Sequence, residues 1–271
     1  MKNGSEDILN RDNVFCCLQV LRDHLSQSQQ NHINVDSGSL LKLQDLNQKL
    51  SNFTSDINET SSSLDKNKQI KKLSFTAKND QNLRSIESLR DTLVFSDGDA
   101  ESQLMFVGEA PGYEEEKNKK PFVGPSGQLL DKIISAMGLQ RCEIYITNIV
   151  KYRPKIGDGR QGHSNRKPNN DEMKSSIKYL LQEINIIRPK LIITLGGTAT
   201  KGLLNLDNPI SNLRGKIHQV DNMNAIVTYH PSFLLRSKNP NSDKRLVWED
   251  MLLAMEFLDM KISEKQRNYF K

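Results

Sequence analysis

The stretch KLIITLGGTATKGLLNL, Lys190 to Leu206, holds a strand, a stop and a helix in immediate succession. Lys190–Leu195 is a short, almost wholly apolar run, the pattern of a strand buried on both faces. Gly196-Gly197 ends it, and Thr198–Leu206 continues with helical spacing. The same grammar extends in both directions. Upstream lie a helix over Asp171–Ile187, a strand over Ile144–Val150 (IYITNIV), a helix over Ser126–Met137 and a strand over Leu104–Val107 (LMFV). Downstream come a strand over Ala225–Tyr229 (AIVTY), the segment HPSFLLR and a helix from about Ser242 to Met260. Alternating strands and helices predict a parallel sheet covered on both faces. Ligands of such sheets bind beyond the carboxyl ends of the strands. GEAPG (Gly108–Gly112), Thr147-Asn148, Leu195–Gly197 and His230–Ser232 therefore border one crevice.

The rest of the chain is organised around this core. Phe15, Leu18, Leu21 and Leu25, then Leu40, Leu43, Leu46 and Leu50, recur at helical intervals and predict a helical N-terminal extension over 1–54. Residues 55–80 are polar and read as a flexible linker, because so few large apolar groups cannot offset the entropy of ordering. Ser85–Thr92 reads as a further helical turn. The folding core is expected over 81–262, followed by a C-terminal tail over 263–271. A net charge of +5 favours a polyanionic partner without demanding one. The sequence has neither a signal-peptide-like start nor an apolar run of ~18 residues, so the expectation is a cytoplasmic protein without a membrane partner. Of the three cysteines, Cys16 and Cys17 are adjacent and Cys142 stands alone, which leaves no disulfide framework and no four-thiolate metal site.

GEAPGYEE, PFVGPSGQLLD, YITNIVKYRP, NRKP, PKLIITLGG, LRG and YHPSFLLR occur in the order and approximate spacing of the family 4 uracil-DNA glycosylases, and the chain resembles that family over roughly Leu93–Leu258. The resemblance implies a three-layer αβα fold around a mainly parallel, four-stranded sheet. It implies excision of uracil from DNA by hydrolysis of the N-glycosidic bond, leaving an abasic site. The alternative within the superfamily is a protein that binds or covalently traps uracil-DNA without turnover. Uracil-containing DNA is the implied partner, downstream abasic-site repair enzymes fit beside it, and the chain is expected to act as a monomer.

By the same resemblance, Phe122 is the aromatic floor on which the flipped base stacks. Asn148 reads the uracil edge, because an amide offers a donor to O4 and an acceptor to N3–H together. Gly108 and Ala110 complete the uracil slot. His230 stabilises the negative charge that develops on the leaving base, for which a neutral N–H donor suffices. Glu109 either activates water and stabilises the oxocarbenium or holds the turn by accepting amide hydrogens. Pro111 and Gly112 bring backbone close to the nucleotide. Leu234 or Leu235 is the wedge entering the vacated space, and Ser232 and Arg236 contact phosphates. The acidic run Glu114–Glu116 reads as a solvated helix start.

Two departures from the family stand out. Its iron–sulfur cluster is held by four cysteines, but two of the implied ligand positions here hold Tyr152 and Ser176, and no cysteine lies between Gln81 and Gly108. The expectation is no cluster, no metal and no other cofactor. In addition, KIGDGRQGHS (Lys155–Ser164) is inserted between the RP and NR motifs, and reads as a mobile basic loop carrying His163. LGGTATKG lacks the GK[ST] order of a phosphate loop, so nucleotide binding there is discounted.

Overall fold

In a computed structural model of the chain, residues 66–270 are described. The N-terminal extension expected over 1–54 and the first part of the expected linker lie outside them. The chain runs through α1 (Lys66–Asn79), α2 (Gln81–Arg84), β1 (Leu89–Leu93), β2 (Ser96–Gly98), β3 (Leu104–Gly108), α3 (Tyr113–Asn118) and α4 (Pro125–Ala136). It continues through β4 (Tyr145–Asn148), β5 (Tyr152–Pro154), α5 (Asn170–Ile187), β6 (Leu191–Leu195), α6 (Gly197–Leu204) and α7 (Ile210–Leu213). Last come β7 (Ile217–Val220), β8 (Met223–Thr228), α8 (Pro231–Arg236), α9 (Pro240–Phe257) and α10 (Glu264–Arg267).

The main sheet has the order β2-β4-β3-β6-β8-β7. Its four central strands are parallel, as expected, and antiparallel β2 and β7 pair onto the two edges. The sheet is thus six-stranded rather than four-stranded, and β1 pairs separately with β5. The edge strands escaped the sequence reading because SDG is short and polar and IHQV lacks full burial. Residues of β3 and β6 are buried throughout, with successive side chains divided between the two faces. Met105, Val107, Ile192 and Val227 join one apolar core with Leu180 and Ala199, while Phe106, Ile146, Ile193 and Ile226 join another with Leu130, Ile134 and Met251. Two cores on opposite faces of one sheet make the three layers.

Three boundaries need correction. From residue 66 the expected linker is helix α1, whose Leu73 and Ala77 are buried and whose Ile70 packs on the same core. Spacing of i, i+3 and i+7 puts these few apolar side chains on one face, which average composition conceals. The helical turn expected at Ser85–Thr92 is displaced: Asp80 caps α2 through the Asn82 and Leu83 amides, and the chain is extended from Leu89. Nor are residues 263–270 a loose tail, because Trp248 Nε1 donates to Gln266 O at 2.7 Å, Gln266 Nε2 donates to Ala136 O at 2.9 Å, and Tyr269 packs on the Trp248 ring.

Register aligns the carboxyl ends of the central strands. Gly108 is opposite Asn148, and Leu195 is opposite Thr228. Asp250 anchors the last of these ends from α9. Its buried carboxylate accepts from Thr228 Oγ1 at 2.6 Å, Arg214 Nε at 3.1 Å and the Gly215 amide at 3.0 Å, giving the LRG motif a scaffolding role beside His230.

Candidate active site

A crevice of about 1010 Å³ spans these strand ends and is lined by Glu109, Ala110, Pro111, Gly112, Phe122, Asn148, Thr198 and His230, among others. Its floor is Phe122. The ring lies so close to Gly108 that a β-carbon there would come within 2.4 Å of Cζ, and one at Gly127 would come within 2.0 Å of the Phe122 carbonyl. Both glycines are therefore demanded by one aromatic residue, which itself sits at φ 53°. A left-handed non-glycine residue costs about 1–2 kcal/mol. The cost is met by a bracket of charge-assisted hydrogen bonds. Arg141 donates to Phe122 O at 2.9 Å and to Pro121 O at 2.6 Å, while Glu115 accepts from the Val123 and Gly124 amides at 2.9 and 2.8 Å and from Gly112 N at 3.2 Å. The acidic run is consequently no mere solvated face: Glu115 ties the two glycine-rich loops together, and Glu116 binds Arg90 and Arg153.

Asn148 ends β4 with its side chain 2% exposed. Its Oδ1 is buried and has no hydrogen-bond partner among the described residues. An unpaired buried acceptor costs about 1–3 kcal/mol, and this one, beside an aromatic floor that lines the crevice, is open to a ligand N–H. Across the floor, the His230 ring centroid is 5.7 Å from that of Phe122. His230 caps α8: its Nδ1 accepts from the Ser232 amide at 3.0 Å and lies 2.8 Å from Ser232 Oγ. A backbone amide can only donate, so Nδ1 carries the lone pair and the neutral ring keeps its proton on Nε2. Burial, aided by the charge of Arg236, holds the imidazole down to about 4. At neutral pH the group left to serve the crevice is an uncharged Nε2–H donor.

The GEAPG turn is fastened to the adjoining strand by Ile149 N to Gly108 O and Val150 N to Glu109 O, each 3.0 Å. Burial raises the Glu109 carboxyl above its ordinary range, partly opposed by a hydrogen bond from Thr198 and by the charge of Lys167. A partly desolvated carboxylate on the crevice wall, near the start of α6, is suited to binding water and accepting its proton. Ala110 also packs on the core behind the crevice, and Pro111 is buried in its wall. Gly112 is pressed between Glu115 and Asn165.

Of the two wedge candidates, Leu234 is 4% exposed and Leu235 is 52% exposed. Leu234 belongs to the packing of α8 on α4 and α9, so the wedge reading survives for Leu235 only. Ser232 is half-buried with its hydroxyl turned to His230, and it receives Arg236 Nη2 at 3.3 Å. Ser232 thus positions the imidazole instead of standing free for phosphate, whereas Arg236 is exposed.

The inserted segment is not the loose loop its composition suggests. Buried Arg153 donates to Gly162 O at 2.7 Å, Ser164 O at 2.8 Å and Asn165 Oδ1 at 3.0 Å, and Arg90 donates to Gly159 O at 2.6 Å. His163 is thereby laid on the Tyr113 ring, centroids 4.0 Å apart, at the crevice wall. Thr198, Lys167, Asn165 and Tyr113 were not singled out in the sequence. They lie within the motifs LGGT, NRKP and GEAPGYEE, but no role was read for them there.

At the implied cluster positions, Tyr152 is buried with its hydroxyl 3.4 Å from Ala77 O, and Ser176 is buried with Oγ unpaired. Tyr152 packs in the same apolar core as Leu73, Ala77, Leu83 and Tyr179. The single cysteine among the described residues, Cys142, is exposed. These donors do not suit a four-thiolate cluster.

Comparison with known proteins agrees with the geometry. The family described as the Uracil DNA glycosylase superfamily matches residues 95–252. The Type-4 uracil-DNA glycosylase of Thermotoga maritima is 36% identical over 171 residues, covering 62% of this chain and 84% of the relative. The enzyme of the same name from Sulfurisphaera tokodaii is 39% identical over 166 residues, 58% of this chain and 71% of the relative. That of Pyrobaculum aerophilum is 35% identical over 159 residues, 56% and 77%. With its three-layer sheet, its strand-end crevice and more than half its length matched, the chain belongs to the uracil-DNA glycosylase superfamily.

Proposed function

We propose that this protein is a monofunctional uracil-DNA glycosylase, which releases uracil from DNA and leaves an abasic site. The observation that carries the reading is the buried Oδ1 of Asn148, unpaired among the described residues and lying with the Phe122 ring against Gly108. Uracil N3–H supplies the missing donor and O4 accepts from the amide nitrogen. Cytosine offers the reverse pattern and leaves the acceptor unmet.

With the base on Phe122, the Nε2–H of His230 donates to O2 as the C1′–N1 bond lengthens and its electrons move into the ring. Because the imidazole is already neutral, its hydrogen bond strengthens as negative charge accumulates, which favours the transition state over the bound substrate. Glu109 faces the developing oxocarbenium and takes a proton from the attacking water, whose oxygen joins C1′. Uracil departs as the anion and is protonated in solvent. Leu235 enters the vacated stack and Arg236 meets a phosphate. No step calls for a metal, cluster or nucleotide, and the purified protein is expected to be colourless; iron near four atoms per chain would overturn that part.

The direct test is a single-uracil oligonucleotide incubated with the purified protein, followed by alkaline cleavage at abasic sites. Cleavage with release of free uracil supports the reading. Tight uracil-dependent binding without product, or a denaturant-resistant protein–DNA adduct, would contradict it.

A further inference from the structure

Phe233 is a large aromatic side chain left 41% exposed while lining the crevice, and neither the uracil slot nor the catalytic groups use it. One of its faces is occupied: it lies on Tyr229 with centroids 4.7 Å apart and ring planes 18° from parallel. The exposure must therefore come from the opposite face and the ring edge. Its backbone is fixed as well, since Phe233 N donates to His230 O at 2.8 Å in the first turn of α8. A flat apolar ring is thus held rigidly, close to the group that meets uracil O2, with one face free. Arg236, also exposed and also lining the crevice, follows three residues later on the same helix.

Leu235 is exposed too, but it is two residues along the helix, and residues at that spacing do not face each other. Phe233 lines the crevice and Leu235 does not. If Leu235 enters the duplex stack, Phe233 looks toward the strand that delivers the uracil. We infer that the free face of Phe233 stacks on the base adjacent to the flipped uracil in the same strand, forming a continuous Tyr229–Phe233–base stack and giving the protein a hold on single-stranded substrate. The inference rests on uracil-DNA being the substrate. A stacked aromatic is the usual means by which proteins hold unpaired bases, because every base offers a π-face whatever its sequence, and a nearby cation engages the phosphate.

The test uses a single-stranded oligonucleotide with 2′-fluoro-deoxyuridine, which resists hydrolysis, and 2-aminopurine on its 5′ or 3′ side. For the unaltered protein, binding should quench 2-aminopurine on one of the two sides. Phe233→Ala should weaken binding about five- to hundredfold, and the quench should be lost. Phe233→Tyr, which keeps the ring, should restore both, while Phe233→Leu, apolar but not planar, should behave like the alanine variant. The loss should fall mainly on the protein concentration giving half-maximal cleavage, less on the maximal single-turnover rate. Binding by Phe233→Leu equal to that of the unaltered protein, or the same fluorescence with and without the ring, would overturn the inference. Because binding is read with a substrate that is not cleaved, failure of the unaltered protein to excise uracil would contradict the functional reading separately.

Discussion

Two polar regions lie within three residues of each other at the end of β4, and they are built in opposite ways. Lys151 and Glu183 are wholly buried, and every demand they make is met inside the protein: they pair with each other, Glu183 accepts from Tyr145 and Thr147, and Tyr145 also reaches Ser96 at 2.8 Å. Burial pushes the lysine down and the carboxyl up, and their mutual attraction opposes both shifts. Asn148, next to Thr147 of that network, is as deeply buried and has an acceptor with no donor. The first arrangement is scaffold, since nothing is left over for a ligand. The second is what the proposed site requires, a group that is buried at a cost, left open and set on the wall of the crevice. Burial alone does not separate them; an open hydrogen-bonding group on the crevice wall does.

The largest effect on the scaffold should follow from Lys151→Met. It leaves Glu183 buried without its cation, a loss of about 3–5 kcal/mol, seen as a reduced midpoint in urea unfolding. In contrast, Asn148→Ala should leave that midpoint nearly unchanged or raise it. Equal destabilisation by the two would erase the distinction.

On the site side, His230→Ala should lower the single-turnover excision rate by about 10²-fold or more, as the loss of an oxyanion-type donor does, with a much smaller effect on binding. The rate should not fall as pH rises through 6.5, because the folded imidazole titrates near 4. A profile that loses activity on deprotonation between pH 6 and 7 would show that a charged imidazole is needed.

Glu109→Gln should separate activity from stability. The raised carboxyl means that from the ordinary value of 4.5 up to the folded one, the native state holds more protons than the unfolded state. Stability contributed by the protonated group is therefore complete below 4.5 and lost as pH rises through the folded value. Glu109→Gln should melt higher than the unaltered protein at pH 7 and no higher at pH 4, while excising uracil about 10²-fold more slowly. Thr198→Val, the smaller change, removes a hydrogen bond that lowers Glu109, so the acid limb of the rate profile should move to higher pH and Thr198→Ser should return it. An unmoved limb would put Thr198 outside the chemistry.

The parallel strands were legible because each is a continuous apolar run, so the strand-end rule put Glu109, Asn148 and His230 on one crevice, and the family resemblance added Phe122. Other features depended on contacts that a one-dimensional reading does not contain. Leu234 and Leu235 are indistinguishable in composition, and only the phase of α8 turns one inward and the other out. Arg153 is one more cation in KYRP until the fold brings Gly162, Ser164 and Asn165 around it and orders a segment that looks mobile. Helix α1 was hidden by the polar residues surrounding its three inward-facing apolar ones. Ser176 has a buried, unpaired hydroxyl that nothing in the structure explains.

The central claim is that the open acceptor of Asn148 reads uracil, and one comparison tests it most directly: excision of uracil and of cytosine from otherwise identical single-stranded oligonucleotides by the unaltered protein and by Asn148→Asp. An aspartate keeps the shape but replaces the amide donor to O4 with an acceptor. The account predicts that the unaltered protein excises uracil alone, and that Asn148→Asp loses most uracil excision and gains a slow cleavage of cytosine. Undiminished excision of uracil by the folded Asn148→Asp protein would contradict it.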